Sequence, residues 1–186
     1  MEFIDMKLRT LNTLIIVSAI LVGCDPQNSE VESRTLDTSQ TKEKKSSSLE
    51  GLLATSEPTD ALSIRTLKSD DNIDKEVVVI GRIGGRVEPF VENRAMFMMA
   101  DLELEMCTAE GDHCETPWDA CCETPENIIA SAITVQVKDK NGNLIKEDLR
   151  ALTGLKSLAK ITVQGKVAEQ SEQVVVLDAK SIFVHP

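Results

Sequence analysis

The stretch CTAEGDHCETPWDACCETPE (107–126) crowds four cysteines, the single tryptophan and six carboxylates into twenty positions. Sulfur at Cys107, Cys114, Cys121 and Cys122 could form disulfides, bind a metal ion or exchange with other thiols. In an oxidising compartment an even set of cysteines reads first as disulfides. A vicinal Cys121–Cys122 bond would need a strained ring. That leaves 107–122 with 114–121, which is preferred, or 107–121 with 114–122. Either set closes loops of roughly 8–16 residues, worth about 2–3 kcal/mol each in the chain-entropy model. The competing chemistry is Zn²⁺ or Cu(I) held by the four thiolates with His113. No C-x₂-C pair supports it, and the absence of C-x-x-C also weakens a redox couple.

Local signals suggest that this segment supports itself. Thr116-Pro117-Trp118-Asp119 offers a capping residue, a proline at the first helical position and an acid three residues after the cap. One helical turn is expected, with Trp118 packed over Cys121 and Cys122 at i+3 and i+4. Thr124-Pro125-Glu126-Asn127 repeats the device and should start a second short helix toward Ile129. The segment is also acidic, with nine carboxylates and no Lys or Arg between 101 and 126. Residues 61–186 hold 21 acids against 14 bases; outside 101–126 the balance is 12 against 14. The acidity is therefore local. It reads first as a solvated face and second as a site for a cation or a basic partner. No D-x-D-x-D-G pattern supports a formed calcium loop.

The N-terminus indicates where these cysteines work. MKLRTLNTLIIVSAILVGC (6–24) has a positive start, an apolar run from Leu14 to Val22 and small residues before Cys24. That is the layout of a secretory signal, and the run is shorter than the roughly 20 residues needed to span a bilayer. Leu21-Val22-Gly23-Cys24 resembles the bacterial lipobox. The resemblance implies cleavage after Gly23 and a covalent lipid on Cys24. Residues 1–23 are then the signal peptide, with Met6 a better start than Met1 because Glu2 and Asp5 precede the positive region. Asp25 leans toward retention in the inner membrane. From Asp25 to Asp60 the chain is rich in Ser, Thr, Glu, Lys and Gln, so 24–60 is expected to be a lipid anchor and disordered tether. Its 36 residues would span roughly 30–35 Å.

Residues 61–186 must supply the scaffold. ALSIRTL (61–67) suits a short helix or an edge strand. KEVVVIGRIGGRV (75–87) reads as a strand bent at Gly84-Gly85. RAMFMMADLELEM (94–106) alternates, and Met96, Met98, Ala100, Leu102, Leu104 and Met106 are expected to share the buried face. On that reading Met96, Met98 and Met106 fill the core and, like Met99, are not soft copper ligands. A third strand lies in 131–139, followed by an Asn141-Gly142 turn. EDLRALTGLKSL (147–158) suggests a short helix broken at Gly154, and 159–170 with 173–184 form a strand hairpin. Periodicity alone supports an all-β barrel or sandwich. The place of the helical connection points to a small five-stranded Greek-key barrel of the OB type. So do VVVIGRIGG (77–85) and ITVQGKVAEQSEQVVVLDAKSI (161–182), which resemble the first and last strands of bacterial OB-fold domains. The helix falls between strands 3 and 4, and the cysteine-rich insertion follows strand 2.

GRIGGRVEPF (81–90) followed by CETPWDACC (114–122) is similar to an uncharacterised family of bacterial OB-fold lipoproteins. Their motif usually has Pro where this chain has Glu115 and Tyr where it has Ala120. The resemblance covers roughly residues 61–186. It implies a fold and a location and brings no activity.

Other functions find little support. The chain carries 20 basic and 31 acidic residues, and it has only four Phe, one Trp and no Tyr. A nucleic-acid groove needs a basic face and stacking aromatics, so Arg82, Arg86 and Arg94 near Phe90 and Phe97 are insufficient. Two histidines, His113 and His185, and no catalytic fingerprint argue against an enzyme. The sequence is therefore read as a membrane-anchored lipoprotein on the extracytoplasmic, periplasmic face. Its expected role is non-enzymatic binding or envelope assembly, with the lipid on Cys24 its one covalent group and no other cofactor. Its partners are the membrane and a basic protein or cation at 101–126. The competing role is periplasmic zinc or copper handling through Cys107, His113, Cys114, Cys121 and Cys122.

Overall fold

The computed structural model describes residues 48–107 and 114–186. The signal segment, Cys24, most of the tether and His113 lie outside the described residues. Five strands are laid out in chain order: β1 (Glu76–Ile83), β2 (Met96–Ala100), β3 (Ala132–Gln136), β4 (Lys160–Gln170) and β5 (Val175–Val184). They close a barrel in the order β1-β2-β3-β5-β4. Neighbours are antiparallel except β3 with β5, which run parallel from Thr134↔Val176 to Gln136↔Asp178. One parallel pair in an otherwise antiparallel closed sheet is the Greek-key signature of the OB architecture. Closure leaves no free sheet edge to pair with other chains.

Alternation builds the interior. In β1 every second residue faces in, giving Val77, Val79, Gly81 and Ile83. β4 and β5 are long and curve strongly, with register shifts at Gln164/Gly165 and Val167/Glu169. Gly165 sits at the first of these, where the Asp178 backbone leaves no room for a Cβ. Phe97, Met99, Ile133, Val163, Leu177 and Ile182 fill the centre, none more than 2% exposed.

β2 corrects the expected face. Phe97 and Met99 point inward, whereas Met96 and Met98 are half-exposed. The cause is length: β2 ends at Ala100, so the acids at 103 and 105 belong to the following turns and say nothing about the strand's outer face. Met99 alone among the methionines of β2 fills the barrel.

The helices also fall differently. α1 (Ile64–Ser69) precedes β1 and buries Ile64 and Leu67 in the barrel core. Leu62 just before it bridges Val79, so 61–67 is first bridge and then helix. α2 (Pro125–Ser131) lies between β2 and β3. Between β3 and β4 there is only a 3₁₀ turn, Leu149–Ala151, rather than the expected helix. Asp148 starts that turn, and Gly154 at φ +87° follows soon after, so no second helical turn forms. Among the described residues no helix is long and apolar enough to cross a membrane.

The folded unit also starts earlier than residue 61. Leu49 and Leu52 are buried in the main core, and Leu53 bridges Ile182. The Ala54 and Ile182 amides complete the pairing, donating to Ile182 O and Leu52 O at 2.8 Å each. Three leucines at i, i+3 and i+4 are invisible in an averaged composition but suffice to dock this arm.

Candidate functional site

The insertion between β2 and α2 is fastened to the barrel by backbone contacts. Gly85 N donates to Trp118 O at 2.7 Å, and within the insertion Cys107 N donates to Pro117 O at 3.0 Å. Gly84 admits this approach because a Cβ there would lie 2.6 Å from Trp118 O. The Gly-Gly pair therefore marks the docking place of a distant segment as well as a strand end. Trp118 Nε1 donates to Val87 O at 2.8 Å, aiming the indole at the loop after β1.

This arrangement corrects the expected helical turn. Thr116–Asp119 forms a single turn closed by Asp119 N to Thr116 O at 3.0 Å, and Ala120 at φ +55° then reverses the chain. The left-handed residue breaks the i+3 and i+4 relation, so Trp118 braces the insertion against the barrel through the loop beyond β1. The second Thr-Pro device does start a helix. Thr124 caps α2, accepting from Asn127 N at 3.2 Å, with Pro125 at the first position.

Among the described residues no disulfide is formed by Cys107, Cys114, Cys121 and Cys122, whose sulfurs cluster. Sγ of Cys107 lies 3.4 Å from Cys121 and 3.8 Å from Cys122, and Cys114 lies 3.9 Å from Cys121. No pair is at the roughly 2.05 Å of a disulfide, so neither expected pairing is formed. A hydrogen bond from the Cys121 thiol holds Cys107 below the ordinary thiol pKa, with burial opposing it. The Cys121 thiol is pushed well up by its contact with Cys107 and then with Asp119. Cys121 and Cys122 are exposed, Cys107 and Cys114 half-buried.

Asp119 organises the cluster, whereas the sequence marks it only as the acid three residues after a helix cap. Its Oδ2 accepts from Thr116 Oγ1 at 2.8 Å and its Oδ1 from Cys121 N at 2.9 Å. One of its oxygens and the sulfurs of Cys107, Cys114 and Cys121 all lie within 4.8 Å of one another. The Thr-x-x-Asp spacing could have identified the residue. Instead it was read as a helix start, a motif that uses the same two residue types.

The other acids divide by burial. Asp101 is 1% exposed and accepts from Arg65 N at 3.0 Å in the first turn of α1, whose N-cap is Ser63. Glu103, Glu105, Glu115 and Glu126 are exposed. Arg82 Nη2 donates to Leu102 O at 3.0 Å, tying the turn after β2 to β1. Phe90 and Phe97 are buried with ring centroids 5.9 Å apart. His185, the one described histidine, shares a 2.9 Å hydrogen bond with Thr162 Oγ1 and packs edge-on to Phe183.

Fold and site together define an OB-type barrel carrying a thiol cluster on a braced insertion. No family model and no curated protein matches the chain. Among solved structures it is similar to one described as an aspartyl-tRNA synthetase from Leishmania major Friedlin. The identity is 12% and the TM-score 0.39, over 73% of this chain. The match spans 22% of the synthetase chain, about a fifth of its length.

Proposed function

We propose that the protein is a lipid-anchored, extracytoplasmic binding module with no enzymatic role. A lipid on Cys24 would hold it to the membrane, and the barrel would present the cysteine insertion outward on its tether. The observation that carries this reading is the bracing of the insertion on the barrel through Trp118, Gly84 and Gly85. Binding surfaces are commonly irregular segments positioned by a rigid scaffold. Among the described residues, Asp101, Asp119 and His185 already hold hydrogen bonds, Asp101 from Arg65 N, Asp119 from Thr116 Oγ1 and Cys121 N, and His185 with Thr162 Oγ1.

The exposed carboxylates Glu103, Glu105, Glu115 and Glu126 would offer a basic protein or a cation an acidic face. Nucleic acid is disfavoured, because the chain carries 31 acidic against 20 basic residues and Phe90 and Phe97 are buried against each other. Anchoring is tested by fractionation. Wild type should sediment with membranes and Cys24→Ser should become soluble. A Cys24→Ser protein that still sediments with membranes would overturn the anchor.

A further inference from the structure

Asp119 is only 9% exposed, yet none of the ion pairs among the described residues includes it. Nor does any Lys or Arg between residues 101 and 126 supply a counter-charge from the same stretch of chain. A buried carboxylate is ordinarily paired with a cation or coordinates a metal. Three sulfurs stand around this one. An Asp119 oxygen and the Sγ atoms of Cys107, Cys114 and Cys121 all lie within 4.8 Å of one another. Sγ of Cys121 is 3.4 Å from that of Cys107 and 3.9 Å from that of Cys114. A tetrahedral zinc ion with sulfur at about 2.3 Å and oxygen at about 2.0–2.2 Å sets its sulfurs about 3.8 Å apart, and sulfur from oxygen about 3.5 Å.

We infer that Cys107, Cys114, Cys121 and Asp119 form a site for one zinc ion, with three thiolate ligands and one carboxylate oxygen. The donor set decides the metal. Thiolates suit zinc and Cu(I), a carboxylate oxygen suits harder ions, and zinc accepts both in one tetrahedral shell. Each Asp119 oxygen already accepts one hydrogen bond, from Thr116 Oγ1 at 2.8 Å or from Cys121 N at 2.9 Å. A carboxylate oxygen has two acceptor positions, so one remains for a metal while the hydrogen bonds fix the direction of the group. Ala120 at φ +55° reverses the chain between Asp119 and Cys121, so two donors close in sequence face one centre. The bond from Cys107 N to Pro117 O at 3.0 Å brings the first cysteine to the same turn. Cys122 stands outside the set: its sulfur is 3.8 Å from that of Cys107 but is not one of the four donor atoms that gather.

Four protein ligands leave no open position, which is the pattern of a structural site. The ion is therefore structural, joining the segment that leaves β2 to the turn before α2. The inference is independent of the lipid anchor: it concerns 107–121 alone and is tested equally well in the Cys24→Ser chain.

The test uses the full chain purified aerobically without reductant or chelator. Elemental mass spectrometry should find one zinc per chain. X-ray absorption at the zinc edge should show three sulfurs at about 2.3 Å and one oxygen at about 2.0–2.2 Å. Neither measurement needs a variant. Cys107→Ser, Cys114→Ser, Cys121→Ser and Asp119→Ala should each weaken zinc binding by at least about tenfold, the loss that removing even an outer partner of a ligand causes. Cys122→Ser should keep one zinc per chain, and circular dichroism of the barrel separates ligand loss from misfolding. A metal-free protein, or copper in place of zinc, would overturn the site. A shell of four sulfurs, or zinc loss in Cys122→Ser equal to that in Cys107→Ser, would overturn the ligand set.

Discussion

Asp119 shows how one carboxylate can shape a site. Burial pushes its pKa up, yet bonds from the Thr116 hydroxyl and the Cys121 amide hold it below the ordinary carboxylate value. A depressed carboxylate stabilises the folded state above its unfolded pKa, about 3.9. That contribution is lost as pH falls through the lower folded value. Asp119→Ala should therefore destabilise the metal-free insertion by about 1 kcal/mol at neutral pH, as for loss of a capping side chain. The gap between wild type and variant should close in acid, below about pH 4. Trp118 is the chain's single tryptophan and sits in the insertion, so its fluorescence in urea titrations reads this effect. A gap unchanged at acid pH would show that the Asp119 carboxylate contributes nothing as a charge.

Among the elements, the two glycines after β1 carry the most consequence. Gly84→Ala would drive a Cβ into the Trp118 carbonyl and should cost about 1–3 kcal/mol, as overpacking does. Gly142→Ala offers the contrast, with φ +83° but open space around it, so only about 1 kcal/mol of backbone strain is expected. Thermal unfolding of both variants, with Trp118 emission as second probe, checks the pair: only Gly84→Ala should change the emission of the folded state. The strands themselves were legible because Val77–Ile83, 160–170 and 175–184 alternate or run apolar over their whole length. β2 was misread because five strand residues run directly into an acidic stretch whose alternation continues by chance. α2 was legible from Thr124-Pro125, since capping is local. The Trp118–Gly85 contact was not, since nothing near Gly85 announces a carbonyl arriving from another part of the chain.

At the scale of the molecule, the barrel, the arm and the insertion form one folded unit within residues 48–186. Leu52 is 5% exposed and lies in the main core, so Leu52→Ala should lower stability by about 2–3 kcal/mol in thermal or urea unfolding. A tether residue would give no change, and that result would remove the arm from the folded unit. The all-β class was readable because five segments alternate or run apolar, but their pattern left barrel and sandwich open. The choice of an OB-type barrel rested on the resemblance of 77–85 and 161–182 and on a helix that in fact falls between β2 and β3. The state of the cysteines was not readable, because spacing along the chain gives no distance between sulfurs and compartment alone favours disulfides. The thiol cluster on its braced insertion is the central claim, and paired native and denaturing mass spectra of the aerobically purified full chain test it most directly. The expected result is a denatured mass equal to that of the fully reduced chain, with Cys107, Cys114, Cys121 and Cys122 all recovered as alkylatable thiols. A denatured mass four hydrogens below the reduced chain would contradict it.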